Sequence, residues 1–176
     1  MSTLSAGGIT LTIECCAVNP LETEEYKLDR RATGLRRAGD WDGAIAALRQ
    51  RKALMGEQWM DDKLAKYLQR AGRFDEAMAE IQWLLDHSQA RARRALGHQP
   101  VSAQQAGHAT HCMLVHRAAA LICQRERRAD LQAHHEHLAE RYGAIRQRLA
   151  PIARAEMKAA LAQRLKADKI NRGERR

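Results

Sequence analysis

The chain is poor in aromatic residues and proline: three Trp, three Tyr, one Phe and three Pro in 176 residues. That scarcity argues against a sandwich or barrel of many short strands, which draws on aromatic pairs and Pro-rich turns. Four cysteines do not make a disulfide framework. Cys15 and Cys16 adjoin in the N-terminal segment, and Cys112 and Cys123 lie eleven residues apart in one helical run, too far to bridge each other. Reduced thiols are expected. No uninterrupted apolar run approaches the roughly 20 residues of a membrane span, and the opening MSTLSAGGITLTIECC lacks the basic start of a secretory signal. The expectation is a soluble cytoplasmic protein that makes no membrane contact. A Gly-rich phosphate loop, a nucleophile elbow and a paired-carboxylate motif are also missing. Those absences speak against an enzyme and leave no cofactor to expect.

What is present favours helix. Hydrophobic residues make up 45% and charged residues 29%, and Ala, Leu, Arg, Gln and Glu, all strong helix formers, dominate. A chain of this length buries roughly two thirds of the surface its unfolded form exposes, enough for one unstapled domain. The expected organisation is an N-terminal tail or short edge strand over 1–20, where ITLTIE alternates but no partner strand is evident, one helical domain over 21–170, and a basic tail over 171–176.

Charge is divided unevenly. Residues 1–90 carry 12 Lys and Arg against 14 Asp and Glu, whereas residues 91–176 carry 18 against 7, so the second half is +11 within a total of +9. That asymmetry points the second half at an anionic surface.

RRAGDWDGAIAALRQ (36–50) and QRAGRFDEAMAEIQW (69–83) repeat one template. Gly72 follows Gly39 by 33 residues, and like residues recur at fixed offsets: Ala32 and Ala65 seven before, Leu35 and Leu68 four before, Trp41 and Phe74 two after, Asp42 and Asp75 three after, Ala44 and Ala77 five after, Leu48 and Ile81 nine after. The reading is a helix, a turn capped by a left-handed glycine, and a second helix, used twice, with small alanines at close crossings. Over 25–90 this resembles the tetratricopeptide repeat, whose period is about 34 residues. Leu28 and Asp61 stand where that family usually has tryptophan, and Gly56 and Gln89 where it has its closing proline. The resemblance implies a short α-solenoid of antiparallel helix pairs in an all-α fold. It also implies a groove, lined by the first helix of each pair, that holds a partner peptide or domain. Its lining here would be Tyr26, Asp29, Thr33, Arg36 and Arg37, then Trp59, Asp62, Lys66, Gln69 and Arg70, without the Lys and Asn pattern that clamps a terminal carboxylate.

Beyond Ser88, ARARRALGHQPVSAQQAG reads as a longer connection because it holds Gly97 and Pro100. HCMLVHRAAALIC then predicts the most buried helix, from about 102 to 126. A partner helix over 129–149 follows, with Leu131, Leu138, Ile145 and Ile152 seven apart. These two make a degenerate third pair, and a helix started or kinked by Pro151 runs to about 168 as the cap that a solenoid requires.

Two clusters suggest chemistry. His108, Cys112 and His116, with His134, His135 and His137 on the next helix, offer N and S donors of the kind zinc takes, but match no established zinc spacing. Core packing for the cysteine and surface positions for the histidines is the simpler expectation. The arginines suggest anion binding: Arg91, Arg93, Arg94, Arg125, Arg127 and Arg128 meeting at one end of the third pair, beside Arg146, Arg148, Arg154, Lys158, Arg164 and Lys166. The expected function is a non-catalytic interaction module, an adaptor or regulator, that docks an acidic partner protein. The alternative is a nucleic-acid binder without sequence preference, for which base-stacking aromatics are scarce, and a metal- or thiol-dependent enzyme comes third.

Overall fold

The structure, a computed structural model, describes residues 3–6, 9–12 and 23–173. The fold is all-α, with helices packed in pairs. In chain order these are α1 (Glu24–Arg37), α2 (Trp41–Met55), α3 (Lys63–Arg70), α4 (Phe74–Asp86), α5 (Ser88–Leu96), α6 (Val101–Arg125) and α7 (Ala129–Gly173). α1 packs on α2, α3 on α4 and α6 on α7, while contacts of α2 with α3 and of α4 with α6 join the pairs. Seven α-helices lie among the described residues, as many as expected, but α5 was not foreseen and α7 takes the place of two expected helices.

Local chemistry starts and stops the first helices. Thr23 caps α1 by accepting from the Tyr26 amide, ahead of Glu24 and Glu25 at the positive end of the helix dipole. Asp40 does the same for α2, its carboxylate accepting from the Gly43 amide at 2.8 Å.

The repeated template is repeated in the backbone. Gly39 (φ 84°) and Gly72 (φ 76°) both take the left-handed conformation. Around them the same bonds recur: Ala38 N to Gly34 O and Ala71 N to Tyr67 O, both 3.0 Å, then Asp40 N to Leu35 O and Arg73 N to Leu68 O, both 2.9 Å. This is the pairing by which a left-handed residue satisfies the last carbonyls of a helix. It occurs a third time, between α6 and α7, where Glu126 N bonds Ile122 O at 3.2 Å and Arg128 N bonds Cys123 O at 2.9 Å. There the left-handed residue is Arg127, at φ 55°. The degenerate third pair therefore keeps the turn of the first two and lacks only its glycine.

The core runs through the alanines of the template. Ala32, Ala44, Ala65 and Ala77 are completely buried, and Ile45, Leu48, Leu64, Leu68, Ile81 and Leu84 fill the spaces between helices. Val115, Ala118, Ala119 and Ile122 extend the same cluster into α6. Where α6 meets α7 the crossing is again close: a Cβ on Gly143 would stand 3.6 Å from the Met113 sulfur. α6 buries one face along its length, from Ser102 to Cys123, while Leu114, Arg117 and Leu121 stay exposed on the other.

Four expectations need correction. The ITLTIE run does have a partner: Thr3–Ala6 (β1) pairs antiparallel with Ile9–Thr12 (β2), Leu4 opposite Leu11, so the alternation makes a local hairpin. The rest of 1–20, with Cys15 and Cys16, lies outside the described residues, as do residues 174–176 of the basic tail. The expected connection after Ser88 is mostly helix α5, because its Ala and Arg residues are good helix formers and the breakers Gly97 and Pro100 come only after it. Trp59 and Asp62 do not sit on a helix: α2 ends at Gly56 (φ 53°), a short 3-10 turn covers Gly56–Gln58, and α3 begins only at Lys63, whose amide is capped by the Asp61 carboxylate at 2.9 Å. Finally, no separate capping helix begins at Pro151. α7 carries the proline inside one continuous helix to Gly173, where the missing N–H orphans only the carbonyl of the exposed Gln147, within reach of water.

Candidate partner-binding surface

The residues expected to line a groove divide into three fates. Trp59 and Gln69 are interior. Trp59 is completely buried; its indole N–H donates to Glu80 Oε1 at 2.8 Å, and Glu80 in turn accepts from Lys52 at 2.6 Å. Its carbonyl accepts from Arg91 at 2.7 Å. It is a junction between α2, α4 and α5 and offers nothing to a partner, so its place in the groove is a misassignment. Gln69 is buried against Glu126, to which it donates at 2.7 Å.

Asp29 and Thr33 are half-buried and committed inside the molecule. Lys63 reaches both, at 2.9 Å and 3.0 Å, and Arg51 bridges Asp29 to Asp61 at 3.0 and 2.9 Å, so four charges stitch α1, α2 and α3 together. Asp62 pairs with Lys66 along α3 at 2.7 Å. Tyr26, Arg37 and Arg70 remain exposed, with Arg36 half-buried.

The arginine cluster does not assemble as expected. Arg91 is nine-tenths buried, and its guanidinium donates to the backbone carbonyls of Trp59 and Leu84. Arg93 and Arg94 are exposed on α5, Arg94 paired with Glu57. α5 lies against the first half of α6, where Ser88 meets His108, whereas Arg125, Arg127 and Arg128 sit beyond its far end. The 17 residues from His108 to Arg125 span about 25 Å of helix. The two groups are therefore separate. Arg125 touches Gln69 at 3.5 Å and Arg128 lies 5.6 Å from the Phe74 ring, fastening the last turn to α3 and α4.

The stripe on α7 is where exposed charge accumulates. Arg146, Arg148, Arg154, Lys158, Arg164 and Lys166 all face solvent. α6 starts at Val101, and Ser102 bonds Glu156, so α7 runs past its partner from Met157 onward. From Arg154 to Asp168 every side chain is exposed except that of Ala160, which is half-buried. Met157, Leu161 and Leu165 are 37%, 59% and 54% exposed, at i, i+4 and i+8, and so lie on one side of the overhang. This stripe was visible as spacing in the sequence, but nothing there says that the helix outruns its partner.

The histidines and Cys112 form a polar seam inside α5, α6 and α7. Ser88 Oγ stands 2.9 Å from His108 Nδ1 and 3.1 Å from His111 Nδ1, and the Cys112 thiol donates to it at 3.4 Å. Tyr142 reaches the same thiol and stacks on His116 with ring centres 5.6 Å apart. His116 and His135 face each other with Nδ1 atoms 3.0 Å apart. Burial, reinforced by His135 and His134, pushes His116 down to about 4, and burial also lowers His108, His111 and His135. Burial raises the Cys112 thiol, the reverse of what a nucleophile needs. His116 and His135 are thus buried, against the surface positions expected for the histidines, while His134 and His137 are exposed. Among the described residues no three His, Cys, Asp or Glu side chains are arranged to hold a metal ion. Ser88 and His111 were not singled out in the sequence, and no spacing rule marks them.

No family model, curated protein or solved structure matches this chain. Among the described residues, no helix is long and apolar enough to cross a membrane.

Proposed function

We propose that the protein is a non-catalytic interaction module, an adaptor or regulator, that docks an acidic partner protein through its basic second half. In this reading the two repeat hairpins, which resemble tetratricopeptide repeats, act as the scaffold, and the overhanging end of α7 is the contact. The observation that carries it is that overhang. It projects about 25 Å past α6, with an apolar stripe of Met157, Leu161 and Leu165 flanked by Lys158 and Arg164 and preceded by Arg154 one turn earlier. An exposed apolar stripe with basic flanks suits an amphipathic acidic surface, the flanks steering approach and the stripe slowing release. A second copy of the same helix would set like charges against each other and fits less well.

Nucleic acid is the competing partner. Tyr142, the one Phe, Tyr or Trp in this half of the chain, is stacked inside on His116, which leaves phosphate contact without the ring that best stacks on bases. The test is capture from lysate on the full chain, with and without nuclease, alongside a variant carrying Arg154→Glu, Lys158→Glu and Arg164→Glu. The expected result is an acidic protein that survives nuclease, elutes with salt and is lost in the variant. Capture abolished by nuclease would replace this reading with nucleic-acid binding, and capture unchanged in the variant would remove the overhang from it.

A further inference from the structure

One cavity stands apart from the overhang. It lies between the end of α2, the Gly56–Gln58 turn, α5 and α6, and has a volume of about 650 Å³. That falls within the range of small-molecule sites, which are mostly apolar with a few fixed polar groups. Its walls are Met55, Met60, Ala92, Ala95 and Leu96. Leu96 is seated directly on the α6 backbone, because a Cβ on Gly107 would come within 2.7 Å of its methyl carbon. The wall on that side is thus fixed by a glycine.

The polar groups of this cavity favour an anion. Arg91 lines it, nine-tenths buried, with its donors on backbone carbonyls and its Nε without a partner. Among the described residues no carboxylate is paired with it; Glu80 acts on it only through space and is itself held by Lys52. A buried cation held by carbonyl dipoles, the Trp83 ring 5.6 Å away and a distant carboxylate, with no ion pair of its own, is costly, and an anion nearby relieves that cost. Arg94 stands at the rim. Its partner Glu57, the one acid lining the cavity, is more than half exposed, as is Arg94 itself, so the pair is weak and open to exchange. His111 also lines the cavity. Its Nδ1 is engaged with Ser88, and its Nε2 has no well-formed hydrogen bond, although the Met60 carbonyl acts on the ring.

We propose that this cavity binds a single alkyl carboxylate, its chain against Met55, Met60, Ala92, Ala95 and Leu96 and its head group at the edge formed by Arg91 and Arg94. The methionines supply an adaptable wall that accepts more than one chain length. Nothing in this inference depends on the overhang of α7.

The test is titration of the full chain with dodecanoate, dodecanol and dodecyltrimethylammonium, each below its micelle concentration, followed by calorimetry and by tryptophan fluorescence. Trp59 is a reporter already in place, since its carbonyl is bonded to Arg91. Dodecanoate is expected to bind saturably, one per chain, and about tenfold or more tighter than the other two. Ala95→Phe, an exposed helix position that points bulk into the opening, should weaken dodecanoate about tenfold or more with the melting temperature unchanged. Met60→Glu, at the exposed lip, should weaken dodecanoate by a larger factor than dodecanol, because it adds charge repulsion to the loss of apolar wall that both feel, and it decides the matter alone if Ala95→Phe fails to fold. Equal binding of all three amphiphiles, binding that never saturates, or dodecanoate affinity unchanged in both variants would each overturn the proposal.

Discussion

Arg127 occupies the left-handed position that Gly39 and Gly72 occupy in the other two hairpins, and a side chain there is strained. Arg127→Gly should therefore stabilise the protein modestly, its relief of strain offset in part by the greater freedom of an unfolded glycine, by about 0.5 kcal/mol in urea denaturation. Gly39→Ala and Gly72→Ala should do the opposite, each costing about 1 kcal/mol or more. No atom lies within 4 Å of a Cβ added at either glycine, so the cost is purely conformational. If all three changes are neutral, the shared turn is not what closes the hairpins. Trp59 is the residue at which template reasoning failed. Its position relative to Gly72 placed it on the outer face of a helix, but Gly56 stops α2 and Lys63 starts α3, which leaves Trp59 in the link, turned inward to Glu80. Trp59→Ala should cost about 3 to 5 kcal/mol of stability, read by thermal unfolding, because it empties a core site and takes away the indole donor of Glu80 Oε1, leaving that carboxylate to Lys52.

At the scale of elements, the spacing of apolar residues revealed the hairpins because each helix there buries one stripe against its neighbour. Ala44→Leu or Ala77→Leu should overpack a completely buried crossing and cost about 1 to 3 kcal/mol. The extent of α7 was not legible in the same way. Pro151 normally ends a helix, and whether it does so depends on whether water can reach the orphaned carbonyl, which no local pattern encodes. Nor does a run of apolar residues reveal that its partner helix has ended, and for that reason the helix to about 168 read as a cap, although its Met157, Leu161 and Leu165 are exposed among the described residues. The contact between α6 and α7 also sets a pH dependence. Two Nδ1 atoms 3.0 Å apart at His116 and His135 share one proton when both rings are neutral and repel when both are charged. His134 beside them adds to the repulsion, and no carboxylate is among the groups acting on the pair. His116 is lowered from its ordinary 6.5 to about 4. The unfolded chain then binds the proton that the fold refuses, so stability is full above about pH 6.5, falls as pH drops through that value toward 4, and levels off below it. Melting temperatures measured between pH 7.5 and pH 4 should fall, and His116→Phe should flatten the curve.

The whole molecule joins a nearly neutral repeat scaffold to a strongly basic second half, a division plain from counting charges. Which arginines act together was hidden, because Arg91 turned inward and α6 set the remaining groups about 25 Å apart. The order of packing has a further consequence. Every pair closes through its own short turn, and the pairs touch in sequence, α2 on α3 and α4 on α6. Contacts are thus short in chain separation, the condition under which folding is fast and is able to begin at more than one place. The α1–α2 hairpin is tied to the rest through α3, the ion network at Asp29 and the pairs Arg49–Glu76 and Lys52–Glu80 to α4, none of them on α6 or α7, so it can open while α6 and α7 stay closed. Native-state hydrogen exchange should then resolve two cooperative units, with amides of α1 released at lower free energy than those of the middle of α6, and unfolding of this chain would be a fraying from its first hairpin inward.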